Sequence, residues 1–340
     1  MFHALKAKAT LVAAMGVFAL GSMHATAQMA IKLAHTNNQQ PTTNAASAMS
    51  VAFKSTLEAD TRGAITVNIF PASQLGKERE LMEAVKLGTI QAMIISEGTT
   101  VNFYQPFEAL GIPYLFPSLE AAWKVYDGPF GQTLYEEFRK ANGVRIIASA
   151  PPGGFRNFGT NKPVKNVADL KGLRIRTMEH PVHQAMVTSL GASPTPIAFG
   201  EVYTAMKSGV VDGLELPYTQ ILNMKLNEVT KYVIADAHLF NQEMLFINEK
   251  WFNGLTPEQQ KAVLHAGRDA QTAGRGVALV SDAIGPAMLR EAGMIVYYPT
   301  EKERDQFKQA TQPQVIEILK KRIDPKYVDG VLKAAADASK

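Results

Sequence analysis

The chain contains no cysteine among its 340 residues. This absence excludes thiol catalysis, disulfide cross-links and metal sites built from thiolate ligands. It also excludes a lipoprotein anchor, because lipid attachment needs a cysteine at the cleavage site of the leader. Any function of this chain therefore depends on other side chains.

Catalytic signature motifs are also missing. The sequence has no G-x-G-x-x-G fingerprint, no P-loop lysine motif, no G-x-S-x-G elbow and no H-E-x-x-H zinc motif. His180 and His183 lie three residues apart near a predicted strand end, but no third metal ligand follows at a sensible spacing. We therefore expect no metal, no cofactor and no catalytic residue, and we interpret both histidines as loop or helix-surface residues.

One apolar run stands near the N-terminus, and no run of comparable length occurs later. Residues 9–21 are apolar, follow two lysines and precede an A-x-A motif that ends at Ala27. This pattern is typical of a secretory signal peptide and is too short for a membrane span. A buried N-terminal helix is the alternative. We predict that residues 1–27 are a signal peptide cleaved after Ala27 and that the mature protein works in the bacterial periplasm.

A strong charge of one sign is absent. The formal net charge of the chain is +4 at pH 7, and two of these charges, Lys6 and Lys8, leave with the predicted signal peptide. The mature chain is then close to neutral for its size. No general attraction to nucleic acid or to a membrane surface follows from such a balance.

The sequence that remains alternates between predicted strands and helices. The segments "MAIKLAHT" and "GAITVNIFP" have strand patterns, and apolar residues spaced four apart predict a helix over residues 44–60. A second amphipathic helix ends at Gly88, and the apolar strand "TIQAMIISEG" follows and ends at Glu97. This order is typical of a parallel sheet covered by helices.

The same unit returns later in the chain. At an offset of 121 residues, "ELMEAVKLG" (80–88) matches "EVYTAMKSG" (201–209) at four of nine positions. Strand-like and helix-like segments alternate around the second copy as they do around the first. We therefore predict two α/β lobes of similar design, which the chain length also favours over one core. A long helical pattern from Thr256 to about Gly293 would lie across both lobes.

Residues suited to ligand binding stand at predicted strand ends, where parallel α/β sheets hold their ligands. Arg174 and Arg176 share one face of the strand in "GLRIRT", and Arg176 is the better candidate because it ends that strand. Its planar guanidinium fits a carboxylate through two parallel hydrogen bonds. A structural salt bridge to Glu179 or Glu201 is the alternative. Further candidates at strand ends or helix starts are Glu97, Arg156, Phe199 and Leu216.

Four segments resemble the substrate-binding proteins of TRAP (tripartite ATP-independent periplasmic) transporters, the C4-dicarboxylate-type (DctP) family. They are "PASQLGKERELMEAVKLG", "LGIPYLFPSLEAAWKVYDGPFG", "NVADLKGLRIRT" and "LGASPTPIAFGEVYTAMKSGVVDGLELP". The resemblance runs in order over nearly all of the mature chain. It implies an α/β periplasmic binding protein fold with two lobes, each a mostly parallel sheet covered by helices, joined by hinge strands and a long helix that spans both.

The resemblance also implies roles for single residues. Arg176 matches the arginine that clamps the carboxylate of the ligand, and Arg156 matches a second family arginine. Glu97 falls on an acidic or polar position after the last strand of the first lobe, and Phe199 on an aromatic wall. Leu216 replaces a frequent asparagine, a departure that argues against a sialic-acid-like ligand. The less secure matches to ligand-lining positions are His35, Thr36, Tyr218, Phe240 and Asn241.

From this resemblance we expect residues 28–153 and 242–281 to form lobe I and residues 154–241 and 282–340 to form lobe II. The protein would capture an organic acid anion by lobe closure and deliver it, as a monomer, to TRAP membrane subunits driven by an ion gradient. A uronate, a small dicarboxylate, or a hydroxy or aromatic acid would fit. The alternatives are a binding protein for an ATP-driven importer or a chemoreceptor, and a periplasmic enzyme with His180 or His183 as base.

Overall fold

The computed structural model describes residues 28–340, so the predicted signal peptide lies outside the described residues. The strands in chain order are β1 (Met29–His35), β2 (Ile65–Phe70), β3 (Ala92–Ser96), β4 (Val144–Ala150), β5 (Arg156–Thr160), β6 (Arg174–Thr177), β7 (Ser193–Pro196), β8 (Gly213–Leu216), β9 (Tyr232–Leu239), β10 (Glu243–Asn248) and β11 (Ile295–Tyr297). The α-helices are α1 (Ala45–Asp60), α2 (Glu78–Leu87), α3 (Glu97–Thr100), α4 (Leu119–Asp127), α5 (Pro129–Asn142), α6 (Pro181–Ser189), α7 (Val202–Lys207), α8 (Tyr218–Asn223), α9 (Glu249–Asn253), α10 (Pro257–Glu291), α11 (Glu301–Arg322) and α12 (Pro325–Ala338).

The strands form two separate mixed sheets. The first has the order β2-β1-β3-β10-β4, with β1 parallel to both neighbours and β10 antiparallel to both of its own. The second has the order β11-β9-β5-β8-β6-β7, and here β5 is the antiparallel strand. The prolines of β7 stand at the sheet edge, where a missing N–H breaks no ladder. The predicted fold with two α/β lobes is confirmed, with one antiparallel strand inserted in each sheet.

The apolar core covers both faces of the first sheet. Along β3, Ala92 and Ile94 pack towards α1 and α10, while Met93 and Ile95 face the opposite side, which α2, α4 and α5 cover. A central strand buried on both faces reads as a continuous apolar run, as this one does in the sequence. Within residues 28–340, no helix combines the length and the apolar character that crossing a membrane would require.

The predicted internal repeat corresponds to equivalent elements in the two lobes. Helix α2 ends at Gly88 with φ 79°, and Gly209, with φ 70°, follows α7. Each glycine supplies the left-handed residue that ends its helix and turns the chain into the next strand, β3 or β8. The repeated "KLG" and "KSG" segments therefore have the same structural role.

Within residues 28–340, the chain crosses from one sheet to the other three times. Residues 151–155 connect β4 to β5, residues 240–242 connect β9 to β10, and the 35-residue helix α10 spans both lobes. Helix α10 packs on α1 and β4 of the first lobe and on α8 and β11 of the second. The predicted lobe boundaries stay a prediction. They fall within the two loop crossings, yet α12, which they assign to lobe II, packs against α4 and α5 of the first lobe.

Gly154 lies in the first crossing and has φ 96°, a conformation that strains any L side chain. A Cβ at this position would lie 2.7 Å from the Cβ atom of Asp282 on α10. We expect Gly154→Ala to lower the free energy of unfolding by about 1–3 kcal/mol, measured by urea denaturation. Gly276→Ala on α10 is the matched control. Because open space surrounds its Cβ position, alanine there should stabilise the protein by about 0.5–1 kcal/mol. Equal effects of the two exchanges would contradict this account.

Candidate ligand-binding site

A cavity of about 400 Å³ lies between the two lobes. The strand ends that meet there are the C-terminal ends of β3, β6 and β8 and the N-terminal ends of the antiparallel strands β5 and β10. The lining residues are Thr36, Ser73, Lys77, Glu78, Arg79, Glu80, Ser96, Thr99, Arg156, Arg176, Met178, Glu179, Ile197, Ala198, Phe199, Gly200, Glu201, Leu216, Gln220, Asn241 and Glu243. Both lobes therefore contribute to one site.

Arg176 lines this cavity from the end of β6 and is 1% exposed. Its Nε and Nη2 atoms donate to the carbonyl oxygen of Ile197 at 2.9 and 2.7 Å. Its Nη1 atom has no hydrogen-bond partner within residues 28–340. Burial lowers the pKa of Arg176 to about 10, so the guanidinium still carries its charge at neutral pH. A buried cation with an unused donor is suited to bind an anion.

The salt bridges considered as an alternative for Arg176 are not formed. Glu179 pairs with Arg79 at 3.4 Å, and Glu201 pairs with Lys77 at 2.6 Å. The neighbouring Arg174 is exposed and forms an ion pair with Asp212 at 2.7 Å. The two arginines of this strand thus differ: Arg174 has a carboxylate partner of its own, and Arg176 lies in the cavity.

Arg156 also lines the cavity, but its charge is compensated inside the protein. Its Nε atom donates to Glu215 Oε2, and its Nη2 atom donates to Oε1 of the same carboxylate at 2.8 Å. Its Nη1 atom donates to the side-chain oxygen of Asn241 at 3.2 Å. Burial raises the pKa of Glu215, but Arg156 and His238 outweigh this and hold the pKa well below its usual range. Arg156 and Glu215 therefore form a buried neutral pair behind the cavity.

Glu97 lies one residue beyond the cavity wall. Strand β3 ends at Ser96, which lines the cavity, and Glu97 points instead to Tyr126, whose hydroxyl donates to it at 2.5 Å. The backbone N–H of Gln242 donates to the same carboxyl oxygen at 3.3 Å. Burial raises the pKa of the Glu97 carboxyl to about 8, against the effect of these two hydrogen bonds.

The structure brings Thr36, Phe199, Leu216 and Asn241 to the cavity wall with the two arginines. His35, Tyr218 and Phe240 lie behind it. The His35 ring contacts Gln39 at 3.1 Å, and the Tyr218 hydroxyl donates to Asn157 at 3.2 Å. The Phe240 ring packs among Phe116, Tyr126 and Phe155. Direct ligand contact by these predicted site residues stays a prediction.

Sequence reasoning missed two acidic residues in the cavity, Glu78 and Glu243. Glu78 opens α2 and accepts hydrogen bonds from Thr99, from the backbone N–H of Ser96 at 3.1 Å and from Thr36 at 3.4 Å. Glu243 opens β10 and is 3% exposed. Burial raises the pKa of Glu243 to about 8, with the neighbouring Glu78 carboxyl as a second cause. Glu78 and Glu243 thus add two carboxyl groups to a cavity wall that also contains Arg176, Glu80, Glu179 and Glu201.

His180 and His183 are buried, contrary to the interpretation as surface residues. Their rings stack with centroids 4.1 Å apart, and neither ring lines the cavity. Burial lowers the pKa of His180 to about 3, and it lowers the pKa of His183 as well. Among the residues that the structure describes, no three histidine or carboxylate side chains are grouped to bind a metal ion.

Contacts across the rim hold the two lobes together over the cavity. The ion pairs Lys77–Glu201 and Arg79–Glu179 each join a residue of the first lobe to a residue of the second. Deeper in the cleft, Met178 packs against Gly98, where a Cβ would lie 2.9 Å from the sulfur of Met178. The lobes are therefore in a closed arrangement.

Comparison with known proteins gives a consistent assignment. A family model described as "Bacterial extracellular solute-binding protein, family 7" matches residues 33–322. A solute-binding protein of Verminephrobacter eiseniae is 38% identical over 253 residues, which are 74% of this chain and 75% of that protein. A solute-binding protein of Roseobacter denitrificans is 35% identical over 91% of this chain and 93% of its own length.

Two solved structures of similar proteins contain sugar acids. A TRAP periplasmic solute-binding protein from Roseobacter denitrificans with bound L-galactonate has a TM-score of 0.82 and 32% identity, and the match covers 89% of this chain and 98% of that one. Another from a Polaromonas species, bound to D-erythronate, has a TM-score of 0.83 and 29% identity over 91% of this chain and 98% of that chain.

Proposed function

Because this chain belongs to the bacterial extracellular solute-binding proteins of family 7, the substrate-binding proteins of TRAP transporters, we propose that it captures a small organic acid through Arg176. The observation that carries this proposal is the buried guanidinium, whose Nη1 atom is unpaired within residues 28–340. A ligand carboxylate would accept a hydrogen bond there and neutralise the charge. The other cations that line the cavity within residues 28–340 are Lys77, Arg79 and Arg156, and each of them pairs with a carboxylate.

Capture proceeds by lobe closure. The open form presents Arg176 to water, the carboxylate docks on it, and the other lobe closes over the ligand by bending at the crossings. Exclusion of water strengthens the charge contacts in the cavity. The ligand shifts the protein towards the closed arrangement only as far as it binds that arrangement more tightly than the open one.

The cavity and two of the neighbouring structures support one ligand class. The L-galactonate and D-erythronate of the two neighbouring structures are monocarboxylates with several hydroxyl groups. The cavity of this chain offers a cation for the carboxylate, acidic and amide groups for hydroxyls, and Phe199 and Leu216 for carbon atoms. This combination supports a sugar acid or a related hydroxy acid.

The family supports a place of action and a partner. Residues 1–27 have the pattern of a signal peptide, and the relatives include proteins named as periplasmic binding proteins. We therefore infer export to the periplasm and delivery of the closed, loaded protein to TRAP membrane subunits. The family consists of binding proteins and not of enzymes, so no turnover of the bound acid is expected.

A thermal-shift screen of organic acids tests the proposal. An acid that binds the native protein only should raise its stability by about 2.7 kcal/mol at a hundredfold excess over its dissociation constant. We expect sugar acids to raise the melting temperature of residues 28–340 and uncharged sugars of equal size to leave it unchanged. A shift by the uncharged sugars alone would contradict the proposal, and so would the chemical conversion of a bound acid.

A further inference from the structure

The cavity contains a second buried group that the carboxylate clamp does not use. The Oε2 atom of Glu243 forms no hydrogen bond of normal geometry in the part of the chain that the structure describes, although the Asn37 side chain lies near its carboxyl group. Both oxygens of Glu78, by contrast, already accept hydrogen bonds from Thr36, Thr99 or the backbone of Ser96. Buried polar atoms normally have a partner. The unpaired atoms of Arg176 and Glu243 are therefore two places where a ligand can complete the hydrogen bonding of the site.

Glu243 is held at this place by the hinge. It begins β10 directly after the second crossing and pairs with Ser96 on one side and Ala150 on the other. Both neighbours are the last residues of their strands. The carboxyl group of Glu243 is therefore attached to a paired strand of the first sheet, while Arg176 belongs to the second lobe. A ligand that contacts both residues bridges the two lobes.

We propose that Glu243 determines the specificity of the site by accepting a hydrogen bond from a ligand hydroxyl, so that hydroxylated monocarboxylates bind and dicarboxylates are rejected. This inference rests on the proposed function, because it assumes that Arg176 binds the first carboxylate.

The charges of the cavity explain the rejection of a second carboxylate. Arg156 is neutralised by Glu215, and the first ligand carboxylate occupies Arg176. The other cations of the cavity wall, Lys77 and Arg79, pair with Glu201 and Glu179. A second carboxylate near Glu78 and Glu243 would then have no free cation. An ionised Glu243 would repel it, and a protonated Glu243 would supply no compensating charge. A hydroxyl group needs only an acceptor, which Glu243 provides in either form.

Three acids with four carbon atoms separate the possible ligand classes at equal length. D-erythronate has one carboxylate and three hydroxyls, succinate has two carboxylates, and 4-aminobutyrate has one carboxylate and an ammonium group. L-galactonate serves as a longer hydroxy acid. Isothermal titration of wild-type protein should show that at least one hydroxy acid binds about a hundredfold or more tightly than succinate and than 4-aminobutyrate. Equal or tighter binding of succinate or of 4-aminobutyrate would overturn the inference.

Two variants then test the residue itself. Glu243→Gln keeps the shape, removes the capacity to ionise and adds an amide donor from which a second carboxylate can accept, so it should reduce the preference over succinate to less than about tenfold. Glu243→Ala removes the acceptor, and it should weaken binding of the hydroxy acid by about tenfold or more. Glu120→Gln, an exposed exchange on α4, is the matched control and should leave both affinities unchanged. The melting temperature of each variant shows whether it is folded. The preference of wild-type protein for a hydroxy acid over succinate tests the inference even if a variant fails to fold.

The outcomes distinguish this inference from the proposed function. If wild-type protein binds hydroxy acids and Arg176→Ala abolishes binding, but Glu243→Gln keeps the full preference over succinate, the role of Glu243 is wrong and the capture function stands. If none of the organic acids binds wild-type protein, both fail.

Discussion

Replacing Arg176 with alanine is expected to weaken binding of the organic acid by about thirtyfold to several-thousandfold. The variant removes one partner of a buried, hydrogen-bonded charge pair, which costs about 2–5 kcal/mol, and each 1.4 kcal/mol is about a factor of ten in affinity. Folding should survive the exchange, because the guanidinium donates to the backbone of Ile197 and leaves no carboxylate of its own unpaired. Isothermal titration with the tightest acid from the screen measures the loss.

The neighbouring arginine provides the matched control. Arg174→Ala removes the same side chain two residues earlier on β6, where it forms an exposed pair with Asp212. Exposed pairs contribute about 0–1 kcal/mol, so this variant should retain the wild-type affinity. Arg176→Lys should lose much of the affinity, because an ammonium group lacks the planar pair of donors. Equal affinities of wild type and Arg176→Ala would end the clamp hypothesis.

The largest expected loss of stability comes from the pair behind the cavity. Glu215→Leu leaves the guanidinium of Arg156, which is 2% exposed, without a compensating charge. Breaking a buried pair in this way destabilises proteins by about 3–5 kcal/mol. Urea denaturation should therefore show a clearly lower midpoint for this variant than for wild-type protein.

A double variant separates the cost of an orphaned charge from the value of the pair. Replacing Arg156 with methionine together with Glu215→Leu removes both charges and keeps most of the volume. Because apolar residues often replace a buried ion pair without net loss, the double variant should recover most of the stability that the single one loses. If the double variant were no more stable to urea than Glu215→Leu alone, the orphaned charge of Arg156 would not be the cause of the loss.

The sequence predicted the lobes because periodicity and helix ends are local properties. The strand-like runs, the repeated helix with its glycine and the long helix from Thr256 all appear where the pattern indicated them. Strand alternation and its position at a strand end also made Arg176 a candidate that lies at the cavity wall, whereas its role as a carboxylate clamp came from the family resemblance and stays a prediction. These features need no knowledge of what a residue meets across the fold.

Glu243 was missed because the rule that located Arg176 applies to parallel strands. Ligands bind at the C-terminal ends of parallel strands, but an antiparallel strand brings its first residue to the same edge. Strand β10 is antiparallel to β3 and β4, so its first residue reaches the cavity. The sequence contains the strand but not its direction within the sheet, which depends on pairing with strands about 90 to 150 residues earlier.

Glu97 shows that an error of one residue in a predicted strand end changes which side chain faces the cavity. The apolar run predicted a strand that ends at Glu97, whereas β3 ends at Ser96 and Glu97 begins a short helix. Successive residues of a strand point to opposite faces. Ser96 therefore lines the cavity and Glu97 points into the protein towards Tyr126. The end of a strand is set by the tertiary surroundings, which the pattern does not contain.

The insertion of β10 into the first sheet has a consequence for biogenesis. In that sheet β4 pairs with β10 alone, and β10 is made only after the whole of β5 to β9. Because the ribosome makes the chain from its N-terminus, the first sheet cannot be completed until residue 248 has been made. Premature termination at any point before that strand would leave β3 and β4 without the strand that joins them, and unpaired strand edges of this kind favour association with other chains.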